Sequence, residues 1–122
     1  AYCNSLQSVP IFDTISVTSI YYMFSNCISL REVPALDFSN VTSGWGLFDY
    51  CYILSRILIT GIGPDLLSSI SVYSCNLSSA ALNELYTNLG STTNGTIDVG
   101  GNYGTSLDDT SIATAKGWTV YG

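Results

Sequence analysis

The sequence predicts an α/β chain coiled as a solenoid, in which short parallel strands are laid side by side by a 24-residue repeat. Three observations carry that expectation. Cys3, Cys27, Cys51 and Cys75 stand at 24-residue intervals. Aligned on those cysteines, units 3–26 and 27–50 share ten of 24 positions, more than independent residues would bring into register. Beyond residue 75 the pattern changes to helix, strand, helix, strand, which is how a return element alternates with the next strand.

The aligned columns define the first part of the chain. Leu6, Leu30 and Leu54 share one column, Val9, Val33 and Ile57 a second, and Pro10, Pro34 and Leu58 a third. Asp13 aligns with Asp37, Val17-Thr18-Ser19 with Val41-Thr42-Ser43, and Phe24 with Phe48 and Val72. Each unit is expected to place one short strand, near 6–11, 30–35 and 54–59. Leu6, Val9 and Ile11 point inward there, as do Leu30, Val33 and Ala35, then Leu54, Ile57 and Ile59. Val17, Met23 and Phe24 close the core from the facing wall. One unit cannot cover this apolar side alone, so neighbouring units must stack. Pro10 and Pro34 lack a ladder donor and keep the strands short. The return at 17–34 shows no sustained helical period and reads as irregular coil.

In the tail, Leu82, Leu85 and Leu89 fall at helical spacing after a Ser cap and before Gly90, which predicts a helix over 79–89. Asn94-Gly95 turns the chain into a strand at 96–99, and Gly100 to Gly104 form a loop. Asp108 or Asp109 is expected to cap a second helix through Lys116, with Ile112 and Ala115 inward and Gly117 ending it. A last strand covers 118–121, and Trp118 roofs the final turn of the solenoid. The chain is thus one domain over 1–122, with three repeats at 1–74 and capping units at 75–122, and reads as the C-terminal part of a longer protein. The leading edge of Leu6, Val9 and Ile11 lacks such a cover, so upstream chain or another subunit is expected to pack there.

Composition excludes several functions. Three Lys or Arg against nine Asp or Glu give a net charge of −6, which repels a phosphate backbone, so no nucleic acid is expected as a partner. No apolar run is long enough for a membrane span. The chain has no His, the commonest general base and metal ligand. Glu32, Asp37 and Asp49 have no second convergent acid, so no catalytic residue, cofactor or metal is expected. Glu32 and Arg56 stand opposite each other on neighbouring strands as an exposed ion pair worth about 0–1 kcal/mol.

Equivalent cysteines on adjacent strands lie about 4.8 Å apart, which a disulfide tolerates. Their Cβ atoms run parallel, however, and a buried Cys behaves as a small apolar side chain. A ladder of buried free thiols at Cys3, Cys27, Cys51 and Cys75 is therefore expected ahead of disulfides or metal. Tyr21, Tyr22, Trp45, Tyr50, Tyr52 and Tyr73 occupy columns that do not repeat in kind, with Asp49 among them. Large aromatics set among Ser, Gly, Asn and Asp resemble the make-up of recognition surfaces. Packing over the ladder and presentation to a partner are both open from the residues alone.

The 24-residue period falls inside the roughly 20–29-residue range of leucine-rich repeats. Tyr22-Met23-Phe24-Ser25-Asn26-Cys27-Ile28-Ser29-Leu30, followed by Val33-Pro34, resembles the M-F-x-x-C-x-S-L unit of BspA-like leucine-rich repeats. Such repeats occur in bacterial surface proteins and in phage tail and fibre proteins. The tail, from Asn76-Leu77-Ser78 to Gly117-Trp118-Thr119-Val120, is similar to the end of such arrays in phage virion proteins. The resemblance implies a non-enzymatic, extracellular module on a virion surface, in a tail fibre or decoration protein. It implies binding to a cell-surface glycan or protein and contact with other virion or fibre subunits. A bacterial surface adhesin and a passive structural subunit are the alternatives.

Overall fold

The structure, a computed structural model, describes residues 4–67 and 69–122. Cys3 lies outside the described residues. The fold is mixed α/β, with parallel strands in two sheets and few helices.

The first wall is built on the expected columns. Ser8 bridges Glu32, and β1 (Glu32–Val33) pairs in parallel with β2 (Arg56–Ile57), so that Glu32 faces Arg56 and Val33 faces Ile57 across an offset of 24. Past β1 the register slips. Leu36 donates to the Pro34 carbonyl at 2.8 Å, and the next bridge joins Asp37 to Thr60, an offset of 23. Pro34 has no N–H to give the ladder, so the chain tightens and takes up one extra residue there. That slip corrects one expectation: Leu36, not Ala35, turns inward beside Ile59, and Ala35 is exposed. Ile11 is also exposed rather than inward, at 73%, and Leu6 and Val9 are half-buried.

The returns at 17–26 and 41–50 form no strand or helix, as the irregular reading expects, but their backbone is paired. N–H groups of Ile20, Tyr22, Phe24 and Asn26 donate to carbonyls of Ser43, Trp45, Leu47 and Asp49 at 2.8–3.0 Å. Phe48 and Tyr50 repeat this onto Ser71 and Tyr73. Here β3 (Ser69–Ser71), β4 (Thr96–Asp98) and β5 (Thr119–Tyr121) form a three-stranded parallel sheet with Ile70, Ile97 and Val120 in register. Bridges Ser19 to Ser43 and Gly44 to Ile70 carry the same pairing back to the first unit. Single turns such as Met23 N–H to Ile20 carbonyl interrupt the run, which explains why no strand period marks it in the sequence.

Between the walls lies one apolar cluster in which aligned columns are fully buried, Leu30 with Leu54 and Val33 with Ile57, and Val41 and Leu47 belong to the same cluster. Each such side chain contributes about 1.5–3 kcal/mol by leaving water. Phe24 stacks on Phe48 at 5.5 Å with planes 7° apart, as parallel repeats of one residue type must. Val17 and Met23 pack against the cluster from its rim.

The helix α1 (Ser79–Asn88) starts where Ser78 Oγ accepts from Ala81 N–H, and buries Ala81, Leu82, Leu85 and Tyr86. Its own last turn carries no basic residue. The missing cation arrives from further along the chain, since Lys116 Nζ donates to the carbonyls of Tyr86, Thr87 and Leu89 at 3.1, 2.6 and 2.7 Å. These are the orphan acceptors of a helix end, where a positive charge is favoured. Trp118 is buried, as expected, and its Nε1 donates to the Gly90 carbonyl at 2.8 Å. Tyr86 is wholly buried with its hydroxyl on Asp108, and burial together with that bond pushes its pKa far above the usual phenol range.

The second helix is shorter than expected. It spans Ser111–Thr114 as α2, and Ala113 rather than Ala115 faces the core. Asp108 is engaged by Tyr86, whereas Asp109 Oδ1 accepts from the N–H and hydroxyl of Ser111 and so serves the start of this shorter helix, as one of the two expected caps. The last strand begins at Thr119 and not at Trp118.

Replacing Lys116 by Met keeps the aliphatic stem and strips three charge-assisted bonds from the end of α1. Thermal unfolding is expected to show a loss of about 2 kcal/mol, roughly 8 °C in Tm. An unchanged Tm means that solvent satisfies those carbonyls equally well.

Candidate recognition face

A recurring turn sets up the site. Asn26, Tyr50, Ser74 and Gly101 all adopt left-handed backbone, with φ of 61°, 62°, 56° and 76°. For a residue with a side chain this costs roughly 1–2 kcal/mol, so the packing of the neighbouring residue must enforce it. In each case the next residue along the chain turns its side chain into the core: Cys27, Cys51, Cys75 and Asn102. Cys51 Sγ donates to the Phe24 carbonyl at 3.0 Å, and Cys75 Sγ to the Phe48 carbonyl at 3.1 Å. Asn102 Nδ2 donates to the carbonyls of Val72 and Val99 at 3.0 and 2.9 Å, while its Oδ1 accepts from Leu77 N–H at 3.0 Å.

Asn102 therefore occupies the place after Cys75, and sequence reasoning missed it. A fixed 24-residue step from Cys75 lands on Val99, whereas the last unit is 27 residues long. The available signal was the turn residue before it, since Gly101 precedes Asn102 as Ser74 precedes Cys75. Cys27, Cys51 and Cys75 are buried free thiols. Burial pushes the Cys75 thiol far up. Among the described residues no cluster of three His, Cys, Asp or Glu side chains is placed to hold a metal.

Outside this ladder the turns carry the aromatics. Tyr50, Tyr52 and Tyr73 are 40%, 57% and 38% exposed. Tyr50 meets Tyr73 edge to face at 5.6 Å and Tyr52 at 6.1 Å, so three rings from two neighbouring units form one cluster. Asp49 braces it from behind, its Oδ1 accepting from Tyr73 N–H at 3.1 Å and from the Ser71 hydroxyl. The Tyr73 ring also lies over Gly100, where a methyl would meet it at 3.1 Å.

Tyr21 and Tyr22 form a second pair, edge to face at 4.4 Å. The hydrogen bond between them raises the Tyr21 pKa. Tyr22, itself left-handed at φ 54°, lays its ring on the Gly46 backbone, where any side chain would collide with it. Exposed Trp45 adjoins that pair through the Tyr22 N–H, which donates to its carbonyl at 3.0 Å. All six aromatics singled out in the sequence are thus exposed, five of them in ring contact with another.

The acidic residues do other work. Glu32 faces Arg56 at 3.6 Å as expected, but the closer partner is Glu84 of α1, whose two oxygens take Arg56 Nε and Nη2 at 3.0 Å each. That fork holds the Glu84 carboxyl below its usual range. Asp37 is lowered by the bonds it accepts from Ser39. One shallow groove of about 440 Å³ runs along the first wall beside Ile11, Pro34 and Leu58.

Asn102 supplies a direct test of the ladder. Asn102→Leu leaves the Leu77 donor and two carbonyls without partners and is expected to cost about 3 kcal/mol or more in denaturant unfolding. Asn102→Cys, which matches the other units, should cost clearly less; equal losses would mean that the position is not part of one ladder. No protein family, curated protein or solved structure matches this chain.

Proposed function

We propose that the chain is a non-catalytic recognition module: a leucine-rich-repeat solenoid of BspA-like type that offers its aromatic turns to a glycan or protein on a cell surface. Its place is a phage tail fibre or decoration protein, outside the cell. The observation that carries this reading is the Tyr50, Tyr52 and Tyr73 cluster, exposed and braced from behind by Asp49. Rings already held in place lose little freedom on binding and can present large contact area to a sugar face or an apolar side chain. Parallel pairing at offsets of 23–27 residues on both walls, with Cys or Asn at one buried position per unit, supports the solenoid. The absence of His and the engagement of Glu84 with Arg56 and of Asp49 with its neighbours favour binding over chemistry.

The test uses replacements drawn from the chain's own columns, so that the turns survive. Asn26 stands where Tyr50 does, and Asn76 where Tyr52 does. Tyr50→Asn with Tyr52→Asn is expected to weaken attachment to host cells or to their isolated surface glycans at least tenfold, about 1.4 kcal/mol, with Tm nearly unchanged. Undiminished attachment together with failed particle assembly would overturn this reading in favour of a passive structural subunit.

A further inference from the structure

The tyrosine cluster stands in an acidic setting. In the three-stranded sheet Ile70, Ile97 and Val120 are in register and face the core, so Ser71, Asp98 and Tyr121, one residue further on each strand, form a row on the opposite face. Asp49 joins the near end of that row, its Oδ1 accepting from the Ser71 hydroxyl. Asp98 lies beside the neighbouring ring, because a methyl on Gly100 would meet both Asp98 Oδ1 and Tyr73 Cε2 at 3.1 Å. Two carboxylates thus flank Ser71 and Tyr73.

No basic side chain answers them. Segments 45–53, 69–76 and 96–104 contain no Lys or Arg. Among the described residues the ion pairs are those of Arg56 with Glu32 and Glu84, and Lys116 Nζ is turned to the end of α1. Each carboxylate gives one oxygen to a backbone N–H, Asp49 to Tyr73 at 3.1 Å and Asp98 to Gly100 at 2.9 Å. Its other oxygen makes no hydrogen bond among the described residues. Like charges held together on one face repel, and a cation brought to them relieves that repulsion.

The rings set the kind of cation. Tyr50 and Tyr73 meet with planes at 83°, and Tyr52 tilts 56° to Tyr50, so one group can lie against more than one ring face. A cation over a ring face is drawn by the ring quadrupole and needs no hydrogen bond there. Tyr50, Tyr52, Tyr73 and Tyr121 are exposed, whereas Asp49 and Asp98 are half-buried among them. The contact surface is therefore ring, with negative charge set behind it. A trimethylammonium group suits both, being positively charged, sheathed in methyl groups and without an N–H to satisfy. Ser74 and exposed Asn76, which follow Tyr73 in the chain, are polar and fit a hydrated polymer rather than the interior of a bilayer.

We propose that this face binds a choline-type trimethylammonium head carried on a cell-surface glycan. The inference rests on the recognition reading above and adds charge selection to it: cationic heads are taken and anionic ones turned away.

The probe is choline chloride, titrated into the full 122-residue protein and followed by proton NMR. Ring signals of Tyr50, Tyr52 and Tyr73 are expected to move with a midpoint in the millimolar range, and the choline methyl signal to shift upfield, as protons over a ring face do. The uncharged carbon analogue, with tert-butyl in place of trimethylammonium, should bind at least about fivefold more weakly. Asp98→Asn keeps an oxygen for Gly100 N–H but removes the charge. Choline should then bind about threefold more weakly while the analogue binds as before. Equal binding of choline and analogue, ring signals that do not move, or an Asp98→Asn protein that binds choline as well as the wild type would each overturn the proposal. So would capture of the protein on phosphatidylcholine vesicles, which would assign the head to a lipid. If Tyr50→Asn with Tyr52→Asn loses host attachment while the wild type ignores choline, recognition by these turns stands and the cationic ligand falls.

Discussion

Parallel backbone pairing between successive units is the constraint on which the rest depends. In an antiparallel hairpin, neighbouring strands bring unlike positions of the sequence together. Parallel pairing at offsets near 24 residues instead puts each residue beside its own counterpart. Every inward position becomes a column, and a column must be filled by side chains that stack on themselves. Leucine on leucine, phenylalanine on phenylalanine and thiol beside thiol satisfy that condition. A charged residue would meet its like one strand away in a dry interior, which fits a chain whose three basic residues lie outside the core cluster.

The same constraint separates support from presentation. Left-handed turns at Asn26, Tyr50, Ser74 and Gly101 drive the next residue inward, and the ladder of thiols and Asn102 holds them there. With the backbone fixed from inside, the outer residue of each turn is free to differ between units. That freedom is where the tyrosines accumulate. The face is rigid because the ladder behind it is regular, and it is distinctive because its own columns are not.

The cysteine interval and the apolar columns made the parallel arrangement legible, and they placed Leu30, Val33, Leu54 and Ile57 in the core correctly. They did so because those residues are both buried and repeated. Of the second wall only the last two strands were legible, since Ser19, Ser43, Gly44 and Ser69 carry no apolar alternation and their pairing is a property of backbone alone. The inward place of Leu36 was hidden by a one-residue slip that Pro34 imposes. Ile11 was misplaced together with its counterpart Ala35: each follows a proline, and the residue after it, Leu36 in the second unit, takes the inward place. Asn102 escaped through the longer last unit. Exposed aromatics were visible as irregular columns, but their contacts across units, Tyr50 with Tyr73 above all, needed coordinates.

The most direct test of parallel stacking is the pattern of nuclear Overhauser effects across the second wall in the isotope-labelled protein. Parallel pairing predicts amide-to-Hα contacts linking Ser43 with the Ser19 region and Ile97 with both Ile70 and Val120, and Hα pairs too far apart to give strong signals. Strong Hα-to-Hα contacts between these segments, the mark of antiparallel neighbours, would contradict the account at its base.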